Sequence, residues 1–173
     1  RLPERSRNPL SSGRGGCQYY SLEGNTLSIA ERIAEWTSMD VCRLVPQKAY
    51  PTNGLKHLIG GMDVIFKKCP KLNALTKRPE GYDLIILATP VWASSYTPAI
   101  RSFLVDHNLS NKKIILVATS AGGDAGKCFK AMKESLGESE IVGEFVIKSP
   151  VADNEKSANA TVDAIRKCMG AVN

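Results

Sequence analysis

The sequence predicts a doubly wound α/β domain, in which the strands of a parallel sheet alternate with helices that cover both faces. Two observations carry this. Leu84-Ile85-Ile86-Leu87-Ala88 and Ile114-Ile115-Leu116-Val117-Ala118 are continuous apolar runs without alternation, as expected of strands buried on both faces. Around them, strand-like and helix-like stretches take turns along the chain, the order that builds α/β folds. At 173 residues the chain suits one domain and can bury a core without staples.

The elements follow in order. Residues 1–16, opening on Arg1, are basic and Gly/Ser-rich and read as a foreign or disordered lead, set apart from a domain spanning residues 17–173. The first strand is the weakest element: only Gly15-Gly16-Cys17-Gln18-Tyr19-Tyr20 precedes the first turn, so either Cys17–Tyr20 is a stunted strand or the start of the chain is altered. Asn25 or Thr26 can cap a helix to about Trp36, with Ile29, Ile33 and Trp36 at helical spacing, and Trp36 is expected in the core. Val41–Val45 is a short strand closed by Pro46. Leu55–Phe66 has helical character, weakened by Gly60-Gly61. Leu84–Ala88 is a strand ended by Thr89-Pro90. A helix follows over Thr97–Val105, with Pro98 in its first turn. Ile114–Ala118 is the next strand, Lys127–Leu136 a helix, Ile141–Ile147 a strand interrupted near Gly143, and Glu155–Met169 a last helix.

Composition excludes several classes. No apolar run approaches the roughly 20 residues of a membrane helix, and the lead lacks the apolar stretch of a secretory signal. The formal net charge is +6, but Arg1, Arg5, Arg7 and Arg14 against Glu4 place +3 of it in the lead. The remaining +3 weakens a nucleic-acid reading, which needs basic residues gathered on one folded face. Cys17, Cys42, Cys69, Cys128 and Cys168 are odd in number and widely spaced. They are expected to be reduced, buried thiols of a cytoplasmic protein rather than metal ligands or disulfides. His57 and His107 show no obvious partners, and Asp106 and Asp124 read as solvated or capping groups.

In open parallel sheets, ligands bind beyond the carboxyl ends of the strands. Three segments fall there. Ser21-Leu22-Glu23-Gly24-Asn25-Thr26 is a tight polar turn entering a helix, whose free N–H groups and partial positive charge suit a phosphate. Gly24 allows close approach or positive φ. It matches neither of the common glycine-rich nucleotide loops. Thr89-Pro90-Val91-Trp92-Ala93-Ser94-Ser95-Tyr96 puts an indole among small neighbours, where it can offer a face to a flat ligand. Thr119-Ser120-Ala121-Gly122-Gly123-Asp124 brings backbone polar groups to the same rim. Each has a plainer reading alone: a capped turn, a Trp covering a helix end, a glycine turn.

Together the three are more specific. Tyr19–Thr26 resembles the phosphate loop of flavodoxins, Asp83–Ala93 their third strand and ring-packing loop, Thr97–Leu104 the helix that follows, and Lys112–Gly123 the fourth strand and its loop. The resemblance spans about Tyr19 to Ser149. It implies a flavodoxin-like five-stranded sheet in the order 2-1-3-4-5, with FMN at its carboxyl edge. Ser21, Gly24, Asn25 and Thr26 would hold the phosphate. Thr89, Pro90, Val91, Trp92 and Ala93 would flank the flavin ring, and Ser120, Ala121, Gly122 and Gly123 would line its other side. Glu23, counted with these residues as part of the cofactor-binding loop, stands where many flavodoxins carry Thr, and its carboxylate is expected to face solvent. The implied function is electron transfer with a redox partner protein or a small-molecule acceptor, the flavin carrying the chemistry. Two alternatives stand beside it: an NAD(P)H-dependent quinone or nitro reductase, and a binding module that has lost its cofactor. A phosphoacceptor regulator is set aside because Thr89-Pro90, not an Asp, ends the third strand. The oligomeric state stays open.

Overall fold

The computed structural model describes residues 15–51, 55–148 and 155–172; the lead over residues 1–14 lies outside them. Five parallel strands form one sheet: β1 (Gly15–Tyr19), β2 (Asp40–Arg43), β3 (Leu84–Pro90), β4 (Lys113–Ser120) and β5 (Glu140–Lys148), in the order β2-β1-β3-β4-β5. The helices are α1 (Asn25–Trp36), α2 (Leu55–Ile65), α3 (Pro98–Asp106), α4 (Gly126–Leu136) and α5 (Glu155–Ala171). A 3-10 turn, Pro79–Gly81, leads into β3.

The apolar runs occupy the sheet centre because both of their faces are covered. Successive side chains alternate between faces. Ile85, Leu87, Ile114 and Leu116 join Ile100 and Phe103 of α3 and Phe129 and Met132 of α4 in one core. Ile86, Ile115 and Val117 join Ile29 and Ile33 of α1 and Val162, Ile165 and Met169 of α5 in the other. Burying a large aliphatic side chain contributes about 1.5–3 kcal/mol, so these two layers hold the sheet.

β1 is a complete strand despite its sequence. Gly15 and Gly16, set apart with the lead on sequence grounds, are its first two residues, and it pairs with both β2 and β3. Neighbours occupy the space that side chains would fill. A Cβ on Gly16 would lie 2.4 Å from Cδ2 of Tyr82, and one on Gly15 would lie 2.6 Å from Cε of Met39. The Tyr82 hydroxyl donates to Asp40 Oδ2 at 2.7 Å, fixing that ring.

Several expectations need correction. Trp36 is 42% exposed, not core. The buried row of α1 ends at Ile33, and the helix closes one residue after Trp36, where the Thr37 N–H and hydroxyl both bond Ile33 O, at 2.9 and 2.6 Å. The α1 cap is Gly24, and Asn25 is the first helical residue. Cys17, Cys42 and Cys128 are buried, but Cys69 is exposed and Cys168 half-buried. His107 has a partner after all: its Nδ1 lies 2.9 Å from Glu80 Oε1, beyond reach of any local pattern because the two are 27 positions apart. The His57 side chain lies outside what the structure describes. The interruption expected near Gly143 is a bulge, where the register steps from Ile114↔Ile141 to Ile115↔Gly143.

Candidate functional site

All five strands end at one edge, and the loops after β1, β3 and β4 meet there. In the first, the Ser21 side chain turns inward and its Oγ accepts the Gly24 N–H at 3.2 Å. Gly24 takes φ 91, while a Cβ on it would meet nothing within 4 Å. Backbone conformation alone therefore demands glycine here. No side chain caps α1 and its first turn carries no acidic residue, so the positive end of the helix dipole is not neutralised from within that turn. Glu23 is exposed, in line with the expectation that it faces solvent. Asn25 opens the helix beside it.

The second loop is a tight two-residue turn. Trp92 N–H donates to Ser95 O at 2.9 Å and Ser95 N–H to Trp92 O at 2.8 Å. Its central residues, Ala93 and Ser94, both lie in the left-handed region at φ 46 and 61, where a non-glycine residue costs roughly 1–2 kcal/mol. The buried Thr89 hydroxyl braces the loop: Oγ1 accepts the Thr97 N–H at 3.3 Å and donates to Pro90 O at 3.0 Å. The Trp92 indole meets Tyr20 and Tyr50 edge to face, at centroid distances of 5.6 and 5.2 Å. Gly60 of α2 lies against the indole; a Cβ there would come within 2.8 Å of Cζ3. Trp92 is thus half-buried and held by three neighbours.

The third loop turns over Ser120–Gly123, where the Gly123 N–H donates to Ser120 O at 3.3 Å and Gly123 takes φ 78. Ala121 and Gly122 are exposed, and a Cβ on Gly122 would meet nothing within 4 Å. Asp124 is exposed, and its Oδ1 accepts the Gly126 N–H at 3.0 Å at the start of α4, whose cap position is Ala125.

Thr119 ties the loops together. Its carbonyl accepts the Val91 N–H at 2.9 Å, and its hydroxyl pairs with the Thr26 hydroxyl at 2.8 Å across 93 positions of sequence. The Thr26 side chain is therefore turned inward, and what the residue presents at the helix start is main chain. The Tyr20 N–H also reaches Ala88 O at 3.1 Å. The rim thus gathers the three predicted segments.

Local sequence patterns did not single out Arg43, Tyr50 or Gly60. Arg43 ends β2, and its Nη2 donates to Ser21 O at 2.9 Å, placing a cation beside the first loop. The strand-end rule would have found it. Tyr50 and Gly60 matter only through Trp92, a contact no local pattern encodes. Burial pushes the Tyr20 hydroxyl up to about 12, with Arg43 opposing the rise. Burial and the bond to Asp63 raise Tyr50 as well. Both rings are neutral supports at physiological pH. Among the described residues, no group of three or more His, Cys, Asp or Glu is placed to hold a metal. The rim offers main-chain donors, an arginine and a braced indole.

A five-stranded parallel sheet in this order, with these three loops joined at its carboxyl rim, defines a flavodoxin-like α/β protein. The chain belongs to the flavodoxin family, whose model it matches over residues 16–159. Solved structures share its fold. A candidate flavoprotein of Bacteroides eggerthii is 22% identical, with TM-score 0.71 over 89% of this chain and 98% of that one. A Lactobacillus acidophilus flavoprotein in complex with FMN is 21% identical, with TM-score 0.68 over 85% of this chain and 99% of that one. The two-electron-reduced flavodoxin of Megasphaera elsdenii is 19% identical, with TM-score 0.54 over 88% and 98%. No curated protein matches the chain. No helix among the described residues is long and apolar enough to cross a membrane.

Proposed function

We propose that this chain binds FMN at the carboxyl rim of its sheet and acts as an electron-transfer flavoprotein. The observation that carries the reading is the meeting of three loops through Thr119, with a helix start that has no acidic residue in its first turn on one side and a braced indole on the other. The residues fit the group. The left-handed Gly24 with open space over it lets a phosphate approach the backbone, and helix N–H groups supply donors without a lysine. Ser21, Gly24, Asn25 and Thr26 are the residues assigned to the phosphate, Thr26 through its main chain, with Arg43 adding a nearby positive charge. Glu23 stays outside. Thr89, Pro90, Val91, Trp92 and Ala93 would flank the ring, and Ser120, Ala121, Gly122 and Gly123 would line its far side. The FMN seen in the Lactobacillus acidophilus relative supports the same ligand here.

When bound, FMN supplies the reversible uptake and release of electrons. The protein's part is to bind, orient and shield. Tyr20, Tyr50 and Gly60 set the indole, Thr89 and Thr97 fix the loop that carries it, and Thr119 holds the three loops in register. The three loops contain no paired acid and base, as suits a carrier whose partner is a redox protein or a small-molecule acceptor.

The test is direct. The purified chain, titrated with FMN, should quench flavin fluorescence and shift its visible spectrum at one equivalent. Trp92→Ala should weaken binding by roughly 2- to 12-fold, the equivalent of about 0.5–1.5 kcal/mol of ring contact. Absence of quenching would refute the reading. Rapid reduction of the bound flavin by NADPH alone would favour a reductase over a carrier.

A further inference from the structure

Helix α2 is apolar on both sides. Its inner face packs Gly60 and Val64, both buried. Its outer face carries Leu58, Ile59, Met62, Ile65 and Phe66, which are 40–68% exposed, and Leu55 extends the row. The spacing i, i+1, i+4, i+7, i+8 puts these five side chains in one stripe. Phe66 continues the helical turn, its N–H donating to Met62 O at 2.8 Å.

We propose that this stripe is the centre of a symmetric homodimer interface, with a second copy of the chain as its occupant. Three features of the stripe select that occupant. First, it contains no ionisable group, and Asp63 on its flank is already paired with Lys68 at 3.2 Å and accepts the Tyr50 hydroxyl at 3.0 Å. A charged partner finds nothing to read on it. Second, a helix stripe is self-complementary about a two-fold axis, since two copies packed antiparallel present the same side chains to each other. Third, the area is adequate. Side chains this large present roughly 150–200 Å² each when free. At the observed exposures the five contribute about 500 Å² per copy and about 1,000 Å² for a pair, the lower bound of a specific interface before any polar rim is added. Homodimer interfaces are more apolar than those between partners that meet transiently, which suits a stripe without a polar atom in its side chains. The proposal is independent of flavin binding.

Sedimentation velocity on the full chain at micromolar concentration tests it. The wild type should run as a dimer of twice 18.8 kDa, unchanged or strengthened by added salt, because the contact is apolar and each copy carries +6. Leu58→Glu with Ile65→Glu should give a monomer whose far-UV spectrum and urea midpoint match the monomeric wild type at high dilution. The milder Leu58→Ala with Ile65→Ala should weaken association at least 10-fold. A wild type that stays monomeric overturns the proposal. So does a dimer that survives the glutamate pair, which would place the interface elsewhere. Monomers that sediment with phosphatidylserine vesicles in a salt-sensitive way would also overturn it, in favour of a lipid surface.

Discussion

Gly60 and Gly61 are adjacent in α2, yet alanine should act on them in opposite directions. At Gly61 a Cβ meets nothing within 4 Å, so Gly61→Ala simply removes unfolded-chain entropy and should stabilise by about 0.5–1 kcal/mol. At Gly60 the same atom would lie 2.8 Å from Cζ3 and 2.9 Å from Cε3 of Trp92. Carbon atoms prefer about 3.5–4.0 Å, so the ring or the helix must yield by most of an ångström. The indole is not a free side-chain tip, because Tyr20 and Tyr50 meet it edge to face. Overpacking of this kind costs about 1–3 kcal/mol. Less the gain in helix propensity, Gly60→Ala should lose about 0.5–2 kcal/mol. Urea unfolding followed by far-UV circular dichroism measures both variants. Tryptophan emission in a Trp36→Phe background reports whether Trp92 has moved. A Gly60→Ala protein as stable as Gly61→Ala, with unchanged emission, would refute the contact on which the site's indole depends.

Further outcomes follow from buried polar groups. Thr26→Val or Thr119→Val alone leaves one hydroxyl of the 2.8 Å pair unpartnered and should cost about 1–3 kcal/mol, whereas the double variant should cost far less than their sum; additive urea-unfolding losses would count against the pair. The Gln18 side chain is fully buried with neither polar atom partnered among the described residues, so Gln18→Met should raise stability by about 1–2 kcal/mol, read as a higher urea midpoint. Tyr20 is raised to about 12 in the folded chain, against about 10 for a free tyrosine. Its contribution is fully present below about pH 10 and is lost as pH rises toward the folded value, because the unfolded state then releases the proton first. Urea midpoints at rising alkaline pH should fall less steeply in Tyr20→Phe than in the wild type.

Some of this was legible in the chain and some was not, for identifiable reasons. β3 and β4 could be read because strands covered on both faces leave unbroken apolar runs. The three rim segments could be read because parallel strands all end at the same edge. β1 was the hard case: Gly-Gly has no strand propensity, and the pairing comes wholly from β2 and β3 on either side. Trp36 was misplaced because helical spacing says which face a residue occupies, not whether an element covers the last turn. Thr26 looked like a ligand-facing hydroxyl, and only the fold reveals that Thr119 takes it. The apolar outer row of α2 was visible as residues, but a buried helix and an uncovered one read alike in sequence.

The bare start of β1 has an evolutionary consequence. An aliphatic residue at position 16 would improve strand propensity yet collide with the Tyr82 ring, and one at position 15 would strike Met39. The Met39 tip is flexible and can give way, but the change at position 16 is harmful until the ring has shrunk, and shrinking Tyr82 first would forfeit its bond to Asp40. Improvement by single steps is therefore blocked from both directions at position 16. A library that varies positions 15, 16, 39 and 82 together should recover stable combinations that one-at-a-time mutagenesis would miss.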